Sequence, residues 1–170
     1  DENIELITTV TASDADGSPL NFSVSNTDEF SITTDGVLSF IVAADYETKK
    51  SYTTKIIVSD GIFQDVLDAV INVKDVNDNP PVIVTSGFSA NENQNGIGSI
   101  IATDVDTNTV FSYSLTGTDS EFIDVDNEGL LTFNETPNYE NKNSYSITLN
   151  VSDGVFNTSK DVTLQIDNIL

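Results

Sequence analysis

The amino-acid sequence contains one ordered set of short acidic motifs twice. The set consists of Glu-Asn, Asp-x-Asp, Asp-Tyr-Glu or Asn-Tyr-Glu, and Ser-Asp-Gly. The motifs begin at Glu2, Asp14, Asp45 and Ser59 in the first copy, and at Glu92, Asp104, Asn138 and Ser152 in the second. The copies are offset by 90 residues at the first two motifs and by 93 at the last two, a drift that small loop insertions explain. Such a repeat restricts the 170-residue chain to two copies of one fold, each large enough for its own core.

The charge balance limits the partners of the chain. Six lysines stand against 28 acidic residues, with no arginine or histidine, which leaves a net charge of −22. Such a surface repels nucleic acid and anionic membranes and attracts cations. A charge this high also occurs in disordered chains. The five Tyr, the nine Phe and the alternating apolar residues favour a folded protein whose charge is partly neutralised.

The residue types that the sequence lacks exclude several kinds of site. Without Cys or His, we expect no disulfide scaffold, no ordinary zinc or haem centre and no histidine-dependent triad. Carboxylate pairs such as Asp45 and Glu47 could support acid–base chemistry, but no other catalytic group accompanies them, so the chain is not expected to be an enzyme. No apolar run is long enough to cross a membrane, so no membrane insertion is expected within this chain, and the cysteine-free composition suits an extracellular or cell-surface setting.

Apolar and polar residues alternate along most of the chain, which is the pattern of β-strands. The alternating sets are Leu20, Phe22 and Val24; Tyr52, Thr54, Ile56 and Val58; Leu67, Ala69, Ile71 and Val73; Tyr113 and Leu115; Tyr145, Ile147, Leu149 and Val151; and Val162, Leu164 and Ile166. Turn signals of the Asp-Gly or Glu-Gly type separate them. Many short strands at regular spacing predict an all-β fold with an immunoglobulin-like Greek-key β-sandwich in each unit.

The two units meet at the sequence Asp-Val-Asn-Asp-Asn-Pro-Pro, residues 75–81. Two consecutive prolines hold the chain extended and cannot donate hydrogen bonds to a sheet, so a strand must end here. This predicts a first domain at 1–79, which includes the linker 75–79, and a second domain at 80–170.

The two units differ at their beginnings. Unit 2 starts with a strand-like stretch, residues 82–84, well before Glu92, whereas unit 1 starts almost at Glu2. The first strand of unit 1 is therefore expected to be missing, which would leave a sheet edge of that unit exposed. We expect the chain to be a fragment of a longer array of repeats.

The acidic motifs supply the ligands that calcium prefers. Calcium takes six to eight oxygens from carboxylates, backbone carbonyls and Asn side chains, and a linker between two sandwiches can collect them from both neighbours. The candidates are Glu2, Asp45 and Glu47 in unit 1, Asn77, Asp78 and Asn79 in the linker, and Asp104, Asp106 and Asp153 in unit 2.

Taken together, the motifs resemble the calcium-binding set of cadherin repeats. The segments that carry the resemblance are Glu-Asn at 2–3 and 92–93, Asp-x-Asp at 14–16 and 104–106, Asp-Tyr-Glu at 45–47, Asp-x-Asn-Asp-Asn-Pro at 75–80 and Ser-Asp-Gly at 59–61 and 152–154. They span nearly the whole chain. The Asn-, Thr- and Ser-rich loops and the lack of Arg are similar to bacterial cadherin-like domains of large surface or secreted proteins.

The resemblance implies that several calcium ions lie at the junction. Nearer unit 1 it implies as ligands Glu2, Asp45, Glu47, Asp78 and the carbonyl of Val76, with Asp106 bridging from unit 2. Nearer unit 2 it implies Asn77, Asn79, Asp104, Asp106 and Asp153. The usual Arg of the Asp-Arg-Glu motif is Tyr46 here, and the corresponding Asp of unit 2 is Asn138.

The remaining motif residues form two outer half-sites, each expected to be empty or weak in this chain. They are Asp14, Asp16 and Asp60 at one end, and Glu92, Asn138 and Glu140 at the other. A further acidic loop, residues 124–129 with Glu135, nearly fits an EF-hand pattern, but strand-like residues flank it, so a β-hairpin turn is the better interpretation.

The resemblance implies a calcium-dependent adhesion module of the cell surface or extracellular space, in which calcium stiffens tandem repeats. A carbohydrate-binding module and a passive rigid spacer are the alternatives. The expected partners are calcium and, beyond it, another copy of the chain or a surface polysaccharide. The absence of Trp leaves no aromatic platform typical of sugar sites and excludes Trp-based strand exchange.

Overall fold

The computed structural model describes residues 1–169, so Leu170, the last residue of the expected second domain, lies outside the described residues. The chain divides into two compact units, and the division falls between Val76 and Asn77 rather than after Asn79. All regular elements are β-strands except one short 3-10 helix, which confirms the all-β prediction. In the described part of the chain, no helix has the length and apolar character needed to span a membrane.

Unit 1 is built from two three-stranded sheets. Its strands are β1 (Leu6–Thr9), β2 (Asn21–Val24), β3 (Phe30–Ile32), β4 (Val37–Phe40), β5 (Ser51–Ser59) and β6 (Gln64–Asn72). The orders are β1-β4-β3 and β2-β5-β6, with every pair antiparallel. Residues from both sheets share one buried cluster, in which Phe30 and Leu38 of one sheet meet Val24 and Ile56 of the other. Two sheets that pack face to face form a sandwich.

Unit 2 has the same two sheets and two additional strands. Its elements are β7 (Val82–Ile83), β8 (Phe88–Asn91), β9 (Gly96–Ser99), β10 (Ala102–Thr103), β11 (Ser112–Thr116), the 3-10 helix (Ser120–Phe122), β12 (Ile123–Val125), β13 (Leu130–Phe133), β14 (Ser144–Ser152) and β15 (Asn157–Asp167). The sheet orders are β12-β13-β9 and β11-β14-β15-β8, with a separate β7-β10 pair. The β15–β8 ladder is parallel.

The alternating sets predicted from the sequence occupy the inner faces of long strands. Tyr145, Ile147, Leu149 and Val151 of β14 are all buried, and Leu149 is fully enclosed. Thr54 of β5 is also buried, and its hydroxyl lies 3.4 Å from that of Ser25, so this polar residue in the alternating set has a partner inside unit 1. Burial of one face therefore follows the period of two read from the sequence.

One alternating residue, Leu67, departs from this rule. Leu67 lies opposite Ile56 in the β5–β6 ladder and therefore shares the inner face with it, yet it is 61% exposed whereas Ile56 is buried. In unit 2, β15 lies between β14 and β8, but among the described residues β6 pairs with β5 alone. The exposure of Leu67 follows from the absence of a neighbour on the second edge of β6.

The acidic loop at 124–129 connects two strands. β12 and β13 pair antiparallel across it, and Asp126 Oδ1 accepts hydrogen bonds from the amides of Glu128 and Leu130 at 2.9 and 2.8 Å. The loop is therefore a hairpin turn that uses its first carboxylate to satisfy its own backbone, as the sequence indicates.

Candidate metal centres

Glu2 is a buried carboxylate near the beginning of unit 1. Its side chain is nearly inaccessible, with 2% of the residue exposed. Oε2 accepts a hydrogen bond from the Tyr46 amide at 2.6 Å, and Oε1 accepts one from the Val76 amide at 2.8 Å. A buried carboxylate is stable when backbone donors satisfy it, and each oxygen keeps a free lone pair for a further ligand.

Two further acidic residues approach Glu2 within the same unit. One carboxylate oxygen each from Glu2, Asp45 and Glu47 lie within 4.8 Å of one another. Asp45 is fixed by Thr48, whose amide donates to Oδ1 at 2.9 Å and whose hydroxyl donates to Oδ2 at 3.0 Å. Three carboxylates this close repel one another unless a cation lies among them, and oxygen ligands suit calcium.

Asp106 collects the amides of the linker at the beginning of unit 2. Its Oδ2 accepts hydrogen bonds from the backbone amides of Asp78 at 3.2 Å and Asn79 at 2.9 Å, and its Oδ1 accepts one from the Asn79 side chain at 2.9 Å. Asp106 is itself buried. The linker residues that follow Val76 are thereby fixed to the Asp-x-Asp motif of unit 2.

The first Asp of that motif has an oxygen with no hydrogen-bond partner. Asp104 Oδ1 accepts a bond from the Asp106 amide at 3.0 Å, whereas Asp104 Oδ2 is buried and has no donor among the described residues. A buried carboxylate oxygen without a donor costs free energy, about 1–3 kcal/mol or more for a charged group. A metal ion would satisfy it.

Asn77 and Asp153 complete the set in unit 2. The terminal amide atom of Asn77 lies 3.3 Å from Asp106 Oδ2 and 3.2 Å from Asp153 Oδ2. An amide nitrogen in that place donates to both carboxylates, whereas an amide oxygen requires a cation between them. Burial raises the pKa of Asp153, but hydrogen bonds from the amides of Phe156 and Val155 outweigh it and hold the pKa below its usual value. Asp153 is therefore ionised at neutral pH.

The residues present fit calcium. All candidate ligands are carboxylates, amides or carbonyls, and the set in unit 2 includes a buried oxygen, Asp104 Oδ2, that lacks a protein donor. Neither set contains a nitrogen or sulfur ligand, so the chemistry favours a hard cation over zinc or copper.

The outer half-sites repeat these arrangements at the other end of each unit. Glu92 is 4% exposed and accepts bonds from the amides of Tyr139 at 3.2 Å and Ile169 at 2.9 Å, the pattern of Glu2. Glu140 Oε1 lies 3.4 Å from the Asn168 amide nitrogen.

At the far end of unit 1, Asp14 Oδ1 accepts bonds from the amides of Asp16 and Ser18 at 2.9 and 3.0 Å. Asp60 Oδ1 accepts bonds from the amides of Phe63 and Ile62, which lower the pKa of Asp60. Each unit therefore carries a Glu-centred set at one end and an Asp-centred set at the other.

The backbone donors of these sites escape sequence reasoning. Tyr46 and Tyr139 enter the sequence analysis only as members of a motif, yet their amides hold the buried Glu2 and Glu92. The one available signal is the joint recurrence of Glu-Asn and Tyr-Glu at the same offset, which pairs the two motifs without naming the contact.

The chain is similar to animal cadherins in sequence. No protein-family model matches it. It is 31% identical to mouse cadherin EGF LAG seven-pass G-type receptor 2 over 172 aligned residues, which cover 92% of this chain and 6% of that protein. It is 34% identical to mouse protocadherin Fat 4 over 128 residues, which cover 69% of this chain and 2% of that protein. The chain therefore spans only a small part of the curated relatives that it matches.

Solved structures show the same fold. The chain superposes on human protocadherin-24 EC1-2 with a TM-score of 0.79 at 24% identity, covering 98% of this chain and 90% of that one. Mouse cadherin-23 EC22-24 gives a TM-score of 0.79 at 21% identity, covering 99% of this chain and 60% of that one. These homologues are proteins of the cell surface, in agreement with the extracellular setting expected from the composition. The chain thus has the sequence homology and the fold of cadherin repeats, the extracellular domains of cadherins.

Proposed function

We propose that this chain is a calcium-dependent adhesion module in which calcium fixes one repeat to the next. The proposal rests above all on the buried Asp104 Oδ2, which lacks a hydrogen-bond donor and lies in a set of carboxylates. A protein keeps such an oxygen at a cost, and a divalent cation repays that cost.

The position of the linker in the sequence explains why both units would take part. The Val76 amide donates to Glu2 of unit 1, and the Asp78 amide donates to Asp106 of unit 2. The two donors are separated by one residue, Asn77, so cations bound along this stretch would draw ligands from both sets. The inner ligands would be Glu2, Asp45, Glu47, the Val76 carbonyl, Asn77, Asp78, Asn79, Asp104, Asp106 and Asp153.

Calcium would act on the linker through charge and covalent continuity. Without the ion, a chain with a net charge of −22 repels itself, and the clustered carboxylates repel most. Extracellular modules bind calcium with Kd values of about 10⁻⁴ to 10⁻³ M. Calcium at ten times Kd stabilises the bound state by about 1.4 kcal/mol per site.

Other parts of the initial interpretation carry less support. The relatives named above are animal proteins, so a bacterial origin is not supported and forms no part of the proposal. A surface polysaccharide is likewise not supported as a partner, whereas a second copy of the chain stays within the proposal. That the chain is no enzyme stays a prediction.

Calcium titration by calorimetry, paired with small-angle scattering, tests the proposal. We expect millimolar calcium to bind and to narrow the distribution of interatomic distances at constant mass. The control variant is Glu135→Gln, which removes an exposed carboxylate of the EF-hand-like pattern and should leave the titration unchanged. A titration with no heat and no scattering change would contradict calcium binding. A doubled mass that needs calcium would assign the adhesive contact to a second copy.

A further inference from the structure

The two repeats differ most at the second edge of their long terminal strand. In unit 2, Leu164, Ile166 and their neighbours in β15 pair in parallel with β8, from Leu164 opposite Phe88 to Asp167 opposite Asn91. In unit 1, β6 holds the corresponding place, since Gln64 lies opposite Ser59 as Asn157 lies opposite Ser152. No described residue forms a ladder with the second edge of β6.

The segment that covers this place in unit 2 is held by few but specific contacts. The carbonyl of Pro81 accepts a bond from the Thr158 hydroxyl at 2.6 Å, and the carbonyl of Ile83 accepts one from Lys160 Nζ at 3.1 Å. Pro81 and Ile83 are buried, and Phe88 packs against the core cluster of unit 2. An extended segment with two apolar anchors therefore seals the sandwich.

In unit 1 the equivalent apolar surface is open. Leu67, at the place of Lys160, is 61% exposed, and Phe63, at the place of the half-buried Phe156, is 76% exposed. Leu6, on the neighbouring sheet, is 59% exposed. Exposed apolar side chains next to an unpaired strand edge are the features of a surface that accepts another strand.

Two surface cavities of unit 1 coincide with the anchor positions. A cavity of about 140 Å³ lies among Leu6, Ile71 and Val73, where Ile71 corresponds to Leu164, the partner of Phe88 in unit 2. An apolar cavity of roughly 150 Å³ accommodates a benzene ring. A second cavity, of about 190 Å³, lies between Ser13 and Gln64, where unit 2 carries the residues that contact β7 and Pro81.

We propose that the free edge of β6 binds an extended peptide segment of another polypeptide, parallel to β6, with an aromatic anchor opposite Ile71. The segment has the chemistry of residues 80–91, which combine two leading prolines, alternating apolar residues and no charge. Charge favours such an occupant, because the chain carries −22 and repels acidic peptides. Main-chain hydrogen bonds supply affinity in this mode and the side-chain cavities supply specificity.

Binding of a synthetic peptide of residues 80–91 to the whole protein tests the proposal, in calcium and again in chelator. We expect saturable binding by fluorescence anisotropy, with amide exchange slowed in residues 66–74. A peptide with Ile83→Asp and Phe88→Asp should bind at least tenfold more weakly. This edge lies within unit 1, so its binding does not require the calcium proposal to hold.

A matched pair of protein variants locates the site. Leu67 and Val155 are equally exposed, at 61% each, but lie in different units. Leu67→Asp should weaken peptide binding at least tenfold with its thermal unfolding preserved, and Val155→Asp should leave binding unchanged. No binding at millimolar peptide, or exchange changes confined to β15, would overturn the proposal. Concentration-dependent dimers that Leu67→Asp abolishes would also overturn this occupant and assign the edge to a second copy.

Discussion

The backbone amide of Val76 donates a hydrogen bond of 2.8 Å to Oε1 of Glu2, which joins the end of unit 1 to its beginning. The same contact recurs in unit 2 between Ile169 and Glu92 at 2.9 Å. In both units the carboxylate is almost fully buried and also accepts a bond from a tyrosine amide. The glutamate therefore stabilises its unit before any ligand binds.

Replacement of Glu2 by Ala should destabilise unit 1 in the absence of calcium. Two backbone amides lose their acceptor, and hydrogen bonds to charged groups contribute about 1.5–3 kcal/mol each. We expect a loss of about 2 kcal/mol in the free energy of unfolding, measured by urea denaturation in chelator. Glu5→Ala, at an exposed position, is the control and should change stability by less than about 0.5 kcal/mol. Equal stabilities for the two variants would contradict a structural role for Glu2.

Replacement of Asp104 by Asn should have opposite effects in chelator and in calcium. The variant removes one negative charge and gives the partnerless position a group that can donate, so stability in chelator should be unchanged or higher. In calcium, the stabilisation should fall by about 1.4 kcal/mol or more, the contribution of one site at ten times Kd. Thermal unfolding in both buffers measures the difference. A variant that gains as much from calcium as the native chain would remove Asp104 from the ligand set.

The stability of unit 2 should fall in acid through Asp119. Burial raises the pKa of this carboxyl, but the hydrogen bond from Lys142, the Ser146 amide at 2.7 Å and the Lys142 charge outweigh it and lower the pKa below its ordinary value of 3.8. A carboxyl with a lowered pKa in the folded state stabilises the fold above its unfolded pKa. That stabilisation is lost as the pH falls through the folded pKa. We expect stability to decline below about pH 4.

The variant Asp119→Asn isolates this contribution. It should lower stability at pH 7 and flatten the decline in acid, as measured by urea unfolding between pH 2 and 7. An unchanged slope would show that other carboxylates dominate the acid sensitivity.

Two glycines with positive φ separate backbone strain from steric contact. Gly36 (φ 79°) and Gly61 (φ 93°) both lie in turns, but a Cβ on Gly36 would meet the Val10 carbonyl oxygen at 2.2 Å, whereas one on Gly61 meets nothing within 4 Å. Gly61→Ala should cost about 1 kcal/mol from the left-handed conformation alone. Gly36→Ala should cost at least about 3 kcal/mol because the β1–β4 region must also shift. Denaturant unfolding of the two variants compares them directly, and similar values would contradict the close approach.

Two leucines at equivalent depths in the alternating pattern should differ in their contribution to stability. Leu149 is fully enclosed and Leu67 is 61% exposed. Leu149→Ala should cost about 3–4 kcal/mol through lost contacts and a cavity. Leu67→Ala should cost less than about 1 kcal/mol. A large loss at Leu67 in the free protein would show that this side chain is covered in solution, and it would argue against an open edge at β6.

The sequence by itself determined the repeat, the strand class and the identity of the acidic motifs. An offset of 90 to 93 residues pairs Glu2 with Glu92, and alternation at period two places Tyr145, Ile147 and Leu149 on one face. These properties are local or depend on comparison of the chain with itself, so they need no knowledge of which segments meet.

Only the tertiary structure decided which of those residues are covered and by what. Leu67 and Ile56 belong to equally regular alternating sets, yet one is exposed and the other buried, because burial depends on a neighbouring strand. Glu2 is held by amides 44 and 74 residues away in the chain, and Asp104 Oδ2 is left without a donor by the packing around it. Hydrogen bonding and burial between distant segments arise only when the chain is folded, and so no local pattern encodes them.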